Sequence, residues 1–378
     1  AELLAKQYNY AKAIKKIDKL LKTDPENEDW LGLKVKYTRQ KSKLVAYTGE
    51  VRHVFFHQLI VDPSITFGNQ NSEAEWAANN SVMTTLDEFN KMLPQLYKNG
   101  YVLVYFDQLY DVEKDKNGEV KLTKKTLMLP EGKKPLIISQ DDVNFYQKTT
   151  LKWGGYGQKF VLDENGDVKV LYIDDKGKES VGDYDLVPAL DTFLDEHPDF
   201  SYQGAKAYVG LTGYDGVLGY RVNIDQKDSE TYAADCEAVK QIADAMKKDG
   251  WQFASHSYSH GHMSTQTVAE IKEDAKWWEE QVANLVGKTN VYLFPYGDWG
   301  QYDQSTAEAK MKVLQKAGFV FMNGVGAYDY SKEYEQYFFM DRCNLDGQCM
   351  YNRKELLSQY FDVDSVWDKR RPDVGLSY

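Results

Sequence analysis

Only six histidines occur in the chain, and two stand four residues apart in Ser255-His256-Ser257-Tyr258-Ser259-His260. Four residues is about one helical turn, so both imidazoles can face one point if the backbone turns there. Such a pair can hold a divalent cation, or can be two surface or hydrogen-bonding histidines. A second cluster is Asp141-Asp142, which with Gln140 ends the short strand run 136–139. Adjacent carboxylates at a strand end point in different directions, so one can bind a cation while the other faces a water. An ordinary acidic turn is the plain alternative. Two imidazoles and one carboxylate leave a tetrahedral ion an open position for water, and a neighbouring carboxylate can take that water's proton. Third, Pro295-Tyr296-Gly297 follows the apolar run 291–294, where a turn can aim a backbone N–H at a developing oxyanion.

These clusters need a scaffold that gathers strand ends. Residues 1–48 read as two helices: Leu3, Leu4, Tyr8, Ala11, Ile14, Ile17, Leu20 and Leu21 form one stripe, and Trp30, Leu33, Val35, Tyr37 and Leu44 suggest a second. The pair resembles a single tetratricopeptide-type hairpin, too little for a solenoid and suited to a cap or spacer. From residue 51 onward, short apolar strands alternate with amphipathic helices. Strands are expected at 51–60, 100–106, 136–139, 205–211, 251–255, 291–294 and 319–322, and helices at 86–98, 187–196, 232–248, 267–286 and 310–317. Residues 160–175 read as a hairpin turning at Asn165-Gly166, inside an insertion near 145–185. This alternation argues for a mainly parallel sheet or barrel covered by helices, whose sites gather at the carboxyl ends of the strands.

A length of 378 residues suits a large α/β unit with a small appendage, here 1–48 followed by 51–378. The net charge of −12 argues against a nucleic-acid or anionic-membrane partner, and no apolar run is long enough to span a membrane. The 28 tyrosines suit either sugar faces or ordinary aromatic packing. No signal peptide opens the chain, which leaves a cytosolic protein or a leader removed before the numbering begins. Cys236, Cys343 and Cys349 are too few for a disulfide framework, although Cys343 and Cys349 can pair.

An Asp-Asp strand end, then His-Ser-x-x-His, then Pro-Tyr-Gly, in this order, resembles the NodB-type polysaccharide deacetylases of carbohydrate esterase family 4. The resemblance covers roughly residues 51–325. It implies a deformed (β/α) barrel, Asp141 as general base, Asp142, His256 and His260 as metal ligands, and the Tyr296 N–H as oxyanion donor. It also implies one divalent ion, zinc foremost, with cobalt, nickel or iron as alternatives. An N-acetylated polysaccharide substrate follows, and with it an extracellular or cell-envelope location. The rival reading is a catalytically inactive carbohydrate-binding relative. The chain departs from the family in three places. Ser139-Gln140-Asp141-Asp142-Val143 stands for Thr-Phe-Asp-Asp-Gly, Leu293-Phe294 replaces the Arg that commonly precedes Pro-Tyr-Gly, and no histidine follows His262 to act as general acid. The circularly permuted deacetylases of poly-N-acetylglucosamine carry that acid on an early strand, in a Tyr-His motif. Phe55-Phe56-His57 is similar to it, which implies His57 as the acid, with a satisfied core histidine as the alternative. His53, on the same face pattern but further from the strand end, ranks below it.

Three further sets are weaker. The loop 211–216 brings Tyr214 forward, with Tyr220 and Arg221, as a substrate-facing element. The stretch 342–347 reads as a loop that can set Arg342 near the site, binding substrate or orienting Asp141. Trp153, Tyr156 and Trp299 are loop aromatics on which a sugar can stack. A purely structural role is the alternative for each.

Overall fold

A computed structural model describes residues 1–116, 119–326 and 330–376. Seven parallel strands close a barrel: β1 (Arg52–Phe56), β2 (Lys134–Gln140), β3 (Tyr208–Leu211), β4 (Gln252–Ser255), β5 (Val291–Leu293), β6 (Phe321–Val325) and β7 (Phe338–Asn344). They pair in chain order, and β7 closes on β1 with Cys343 beside Val54. The strands are buried on both faces because helices cover the outside and side chains fill the inside, which is why they read as nearly continuous apolar runs. This is the deformed (β/α) barrel that the resemblance implied, and it realises the mainly parallel barrel that the alternation allowed. The strand Tyr101–Leu103 pairs with the first half of β2, ending before the expected 106 because Phe106–Leu109 turns helical.

The covering helices start where capping chemistry lets them. Thr85 with Glu88, and Thr267 with Glu270, form reciprocal capping boxes that satisfy otherwise orphaned N–H groups. The expected helix 267–286 is continuous but passes through a π-helical stretch, Trp278–Ala283. The insertion is a three-stranded antiparallel sheet, Gly157–Leu162, Val168–Ile173 and Glu179–Gly182. Its first turn holds Gly166 at φ 83°, with the Asp163 carboxylate accepting from the Asn165 and Asp167 N–H groups.

The amino-terminal segment differs from the expectation. Its first stripe is broken at Tyr8 (φ 63°) into Glu2–Lys6 and Tyr10–Leu20, and Glu28–Lys41 follows. Asn9 caps the second helix by accepting the Lys12 N–H, so capping competes successfully with an unbroken stripe. Tyr8 also donates to the Asp199 carbonyl, and Ala5, Tyr8, Ala13 and Ile17 join the same buried cluster as the barrel.

The barrel interior is layered. Phe106, Phe321 and Phe338 plug the amino-terminal end, with Phe106 and Phe321 stacked at 4.6 Å. Above them lies a polar layer. His53 Nδ1 faces Asn323 Oδ1 at 3.2 Å and its Nε2 faces Ser139 Oγ at 3.0 Å. Burial, followed by the nearby Arg342 charge, pushes the His53 pKa well below its ordinary value, so the ring is neutral. The carboxyl mouth opens above this layer.

Candidate active site

Register places the chemistry. Phe56 pairs with Gln140, so His57 and Asp141 leave the barrel side by side. Ser255 pairs with Tyr292, so His256 emerges next to Leu293, whose carbonyl lies 2.8 Å from His256 Nδ1. A carbonyl only accepts, so Nδ1 carries the proton and Nε2 offers its lone pair to the mouth. His256 Nε2 stands 3.8 Å from Asp142 Oδ1, and His260 Nε2 stands 3.6 Å from Asp142 Oδ2. The three ligand atoms lie within 4.8 Å of one another. A four-coordinate ion with bonds of about 2.1 Å needs ligands roughly 3.4 Å apart, so the set fits a divalent cation after small adjustment. Asp142 (φ 59°) and His260 (φ 54°) both use left-handed backbone to converge. Burial opposes ionisation of Asp142, but its interactions with His260, His256 and His57 outweigh this and hold the carboxyl below its usual range.

Asp141 is buried, and Arg342 from β7 grips both its oxygens, Nη1 to Oδ1 at 2.6 Å and Nη2 to Oδ2 at 2.9 Å. Arg342 is 0% exposed and stacks over Phe55 at 4.3 Å. Its Nη1 also donates to Ser139 Oγ, and its Nε to the Gly324 carbonyl. Burial raises the Asp141 pKa, yet Arg342 and then His256 overcome this and keep the carboxyl well below the carboxylate range. The expected loop at 342 is thus a barrel strand, and its buried guanidinium is out of reach of a substrate. Arg342 orients Asp141 instead.

His57 Nδ1 lies 2.9 Å from the Val82 carbonyl, so that nitrogen is protonated and Nε2 looks into the site, 4.0 Å from Asp142 Oδ2. The altered first motif has its own support: Gln140 donates to buried Asp185 Oδ1 at 2.8 Å and to the His57 carbonyl at 3.2 Å. Pro295-Tyr296-Gly297 forms a turn with Tyr296 at φ 58°. A Cβ at Gly297 would meet Val325 Cβ at 2.6 Å, so close packing under the mouth demands glycine.

One cavity of about 420 Å³ joins these groups, lined by His57, Asp141, Asp142, His256, His260 and Tyr296, with Trp153, Tyr214 and Asp346 among its walls. That volume lies in the range of small-ligand sites. Tyr214 is 42% exposed and stacks on Tyr146 at 5.2 Å. Trp299 is not brought to this cavity; it packs on Phe339 outside the barrel and lines a separate one. Tyr156 is buried, with its hydroxyl on Asn79, and Tyr220 is buried with its hydroxyl on the Phe160 carbonyl. Arg221 pairs with Asp215 at 3.1 Å and braces the loop from behind. Sequence reasoning missed Tyr146, whose hydroxyl donates to Asp142 Oδ1 at 2.6 Å. Its place four residues after Asp142 was the one available signal.

Residues 221–321 match the family model for polysaccharide deacetylases. That segment holds the His256–His260 pair and the Pro-Tyr-Gly turn. Among solved structures, the Streptococcus pyogenes deacetylase PplD in complex with acetate aligns with 83% of this chain and 99% of its own at 13% identity and a TM-score of 0.44. A BA3943 mutant, a CE4 family pseudoenzyme with restored enzymatic activity, aligns with 54% of this chain and 86% of its own at 10% identity and a TM-score of 0.25. No curated protein matches the chain in sequence.

Proposed function

We propose that the chain is a metal-dependent hydrolase that removes N-acetyl groups from an N-acetylated polysaccharide. The observation that carries this reading is the convergence in one cavity of Asp142, His256 and His260, an arginine-gripped Asp141, and His57 with its Nε2 facing inward. The three ligands would hold one divalent ion, zinc foremost and cobalt, nickel or iron as alternatives, which polarises a carbonyl and acidifies water when bound. Asp141, held ionised and aimed by Arg342, accepts the proton of the water that attacks the acetamide carbon. The Tyr296 N–H donates to the developing oxyanion. His57 in its imidazolium form, anchored through Nδ1, delivers the Nε2 proton to the leaving amine and is left as the neutral Nδ1–H ring. Tyr214 and Trp153 offer aromatic faces to the sugar. Polymers of this kind lie outside the membrane, so an extracellular or cell-envelope location accompanies the proposal.

The test pairs metal analysis with acetate release from N-acetylated oligosaccharides. About one divalent ion per wild-type chain is expected, lost together with acetate release in Asp142→Ala. A wild-type protein fully loaded with zinc that releases no acetate from chitin-type, peptidoglycan and poly-N-acetylglucosamine fragments would overturn the reading.

A further inference from the structure

The two imidazoles of the triad are held in different ways. His256 Nδ1 is fixed by the main-chain carbonyl of Leu293 at 2.8 Å. His260 Nδ1 meets instead the side-chain hydroxyl of Tyr296, at 3.1 Å, and that ring is 60% exposed. The Tyr296 ring is not loose. Its centroid sits 4.6 Å from His260 edge-on, and 3.8 Å from His262 in a near-parallel stack of 9°. His262 in turn has its Nδ1 3.6 Å from Asp298 Oδ2. Asp298 is 2% exposed and held by three hydrogen bonds, accepting the Ser264 N–H at 2.9 Å, the Ser264 hydroxyl at 2.5 Å and the Gly300 N–H at 3.0 Å. The chain Asp298, His262, Tyr296, His260 therefore ends on a ligand whose Nε2 faces Asp142 at 3.6 Å.

We propose that the Tyr296 side chain is a positioning residue for the metal centre: its hydroxyl accepts the His260 Nδ1 proton and so holds the Nε2 lone pair of His260 toward the cation, while His262 clamps the phenol ring from the other face. This role is separate from that of the Tyr296 backbone N–H, and it rests on the metal-binding reading of the triad. With Nε2 committed to a cation, Nδ1 must carry the proton, and the phenol oxygen is the acceptor at hand. The phenol proton is then free to point into the cleft. Partners of this type, when removed, typically lower metal affinity about 10–100-fold.

The test titrates zinc ion against a chelating dye with the full chain at fixed pH, and follows zinc release to excess chelator. Tyr296→Phe removes only the hydroxyl; it is expected to weaken zinc about 10–100-fold and to speed release, with the metal-free melting temperature unchanged. His262→Ala leaves the hydroxyl but frees the ring, and should show a smaller loss in the same direction. Tyr302→Phe, on a ring 81% exposed and outside the triad's contacts, should bind zinc as wild type does. Equal affinity in Tyr296→Phe and wild type would overturn the proposal, as would a loss in His262→Ala exceeding that in Tyr296→Phe. A wild-type chain that binds zinc but releases no acetate would sink the deacetylase reading and leave this proposal standing. A wild-type chain without zinc affinity would end both.

Discussion

Replacing Arg342 by Met tests the electrostatic core of the site. The substitution keeps an unbranched apolar stem but deletes the cation that faces Asp141 and stacks over Phe55. Four contacts disappear: 2.6 and 2.9 Å to the carboxylate, 3.1 Å to Ser139 Oγ and 3.2 Å to the Gly324 carbonyl. Removing one partner of a buried ion pair costs about 3–5 kcal/mol. Two charge-assisted hydrogen bonds at roughly 1.5–3 kcal/mol each give the same size. Urea unfolding followed by tryptophan fluorescence should show this loss at pH 7. The sign of its pH dependence follows from Asp141. In wild type its folded-state pKa is depressed, so its stabilising contribution is present above the unfolded value near 4 and is lost as pH falls through the folded value. Without Arg342 the dominant remaining influence is burial, which raises the pKa, so the folded variant holds its proton to higher pH. The stability gap between wild type and Arg342→Met should therefore narrow on acidification from pH 7 to 4. In acetate release, the acid limb of the variant's profile should shift to higher pH. The double variant Arg342→Met/Asp141→Asn removes the stranded charge, and its loss should fall short of the summed single losses by at least about 1 kcal/mol. Additive losses, or a gap that stays constant with pH, would refute the reasoning.

His57→Gln should keep its metal and lose about 10²–10⁴-fold in acetate release; full activity would remove His57 from the mechanism. Asp185 is buried and its pKa is pushed up to about 6, chiefly by burial. A raised carboxylate pKa means the folded state holds the proton longer, so this group's contribution to stability declines as pH rises from about 4 to 6, by roughly 3 kcal/mol. Asp185→Asn should flatten that decline in pH-dependent urea unfolding, and an unchanged slope would exclude the assignment. Arg371, 0% exposed at the side chain, grips Glu88 through two 2.7 Å contacts and the Met83 carbonyl at 2.8 Å. Arg371→Ala should cost about 3–5 kcal/mol, and a loss below about 1 kcal/mol in urea unfolding would show that the pair is not stabilising.

The parts of the site that were legible in the sequence share one property: each is a short polar cluster immediately after an apolar run. Asp141-Asp142, His256 and the Pro-Tyr-Gly turn all sit where β2, β4 and β5 end, and a parallel barrel gathers those ends whatever the loops do. Alternation along β1 also worked, because His53, Phe55 and His57 do share the inner face. What alternation does not give is depth: the Asn323 and Ser139 contacts put His53 in mid-barrel, below the mouth. Loop aromatics were the least legible. Trp153, Tyr156 and Trp299 look alike in sequence, yet one lines the cavity, one is buried elsewhere and one faces the barrel's outside, since a ring's apolar area suits a core as well as a sugar.

The closing strand shows why the rest was hidden. β7 reads Phe338-Phe339-Met340-Asp341-Arg342-Cys343-Asn344, and its charges break the apolar run that marks the other strands. Phe338 reaches the aromatic plug and Arg342 the Asp141 carboxylate, so the inner face of β7 passes from apolar at the bottom of the barrel to charged at its mouth. A strand with that gradient resembles a loop to any local reading, because its polar residue is satisfied by a partner 201 positions away. The same gradient is what the chemistry needs. Under the proposed mechanism Asp141 must stay ionised, and Arg342 reaches it from inside the barrel without occupying the mouth. The family match stops at residue 321, before this strand begins, so the residue that sets the charge state of Asp141 is supplied by barrel closure rather than by the matched motifs.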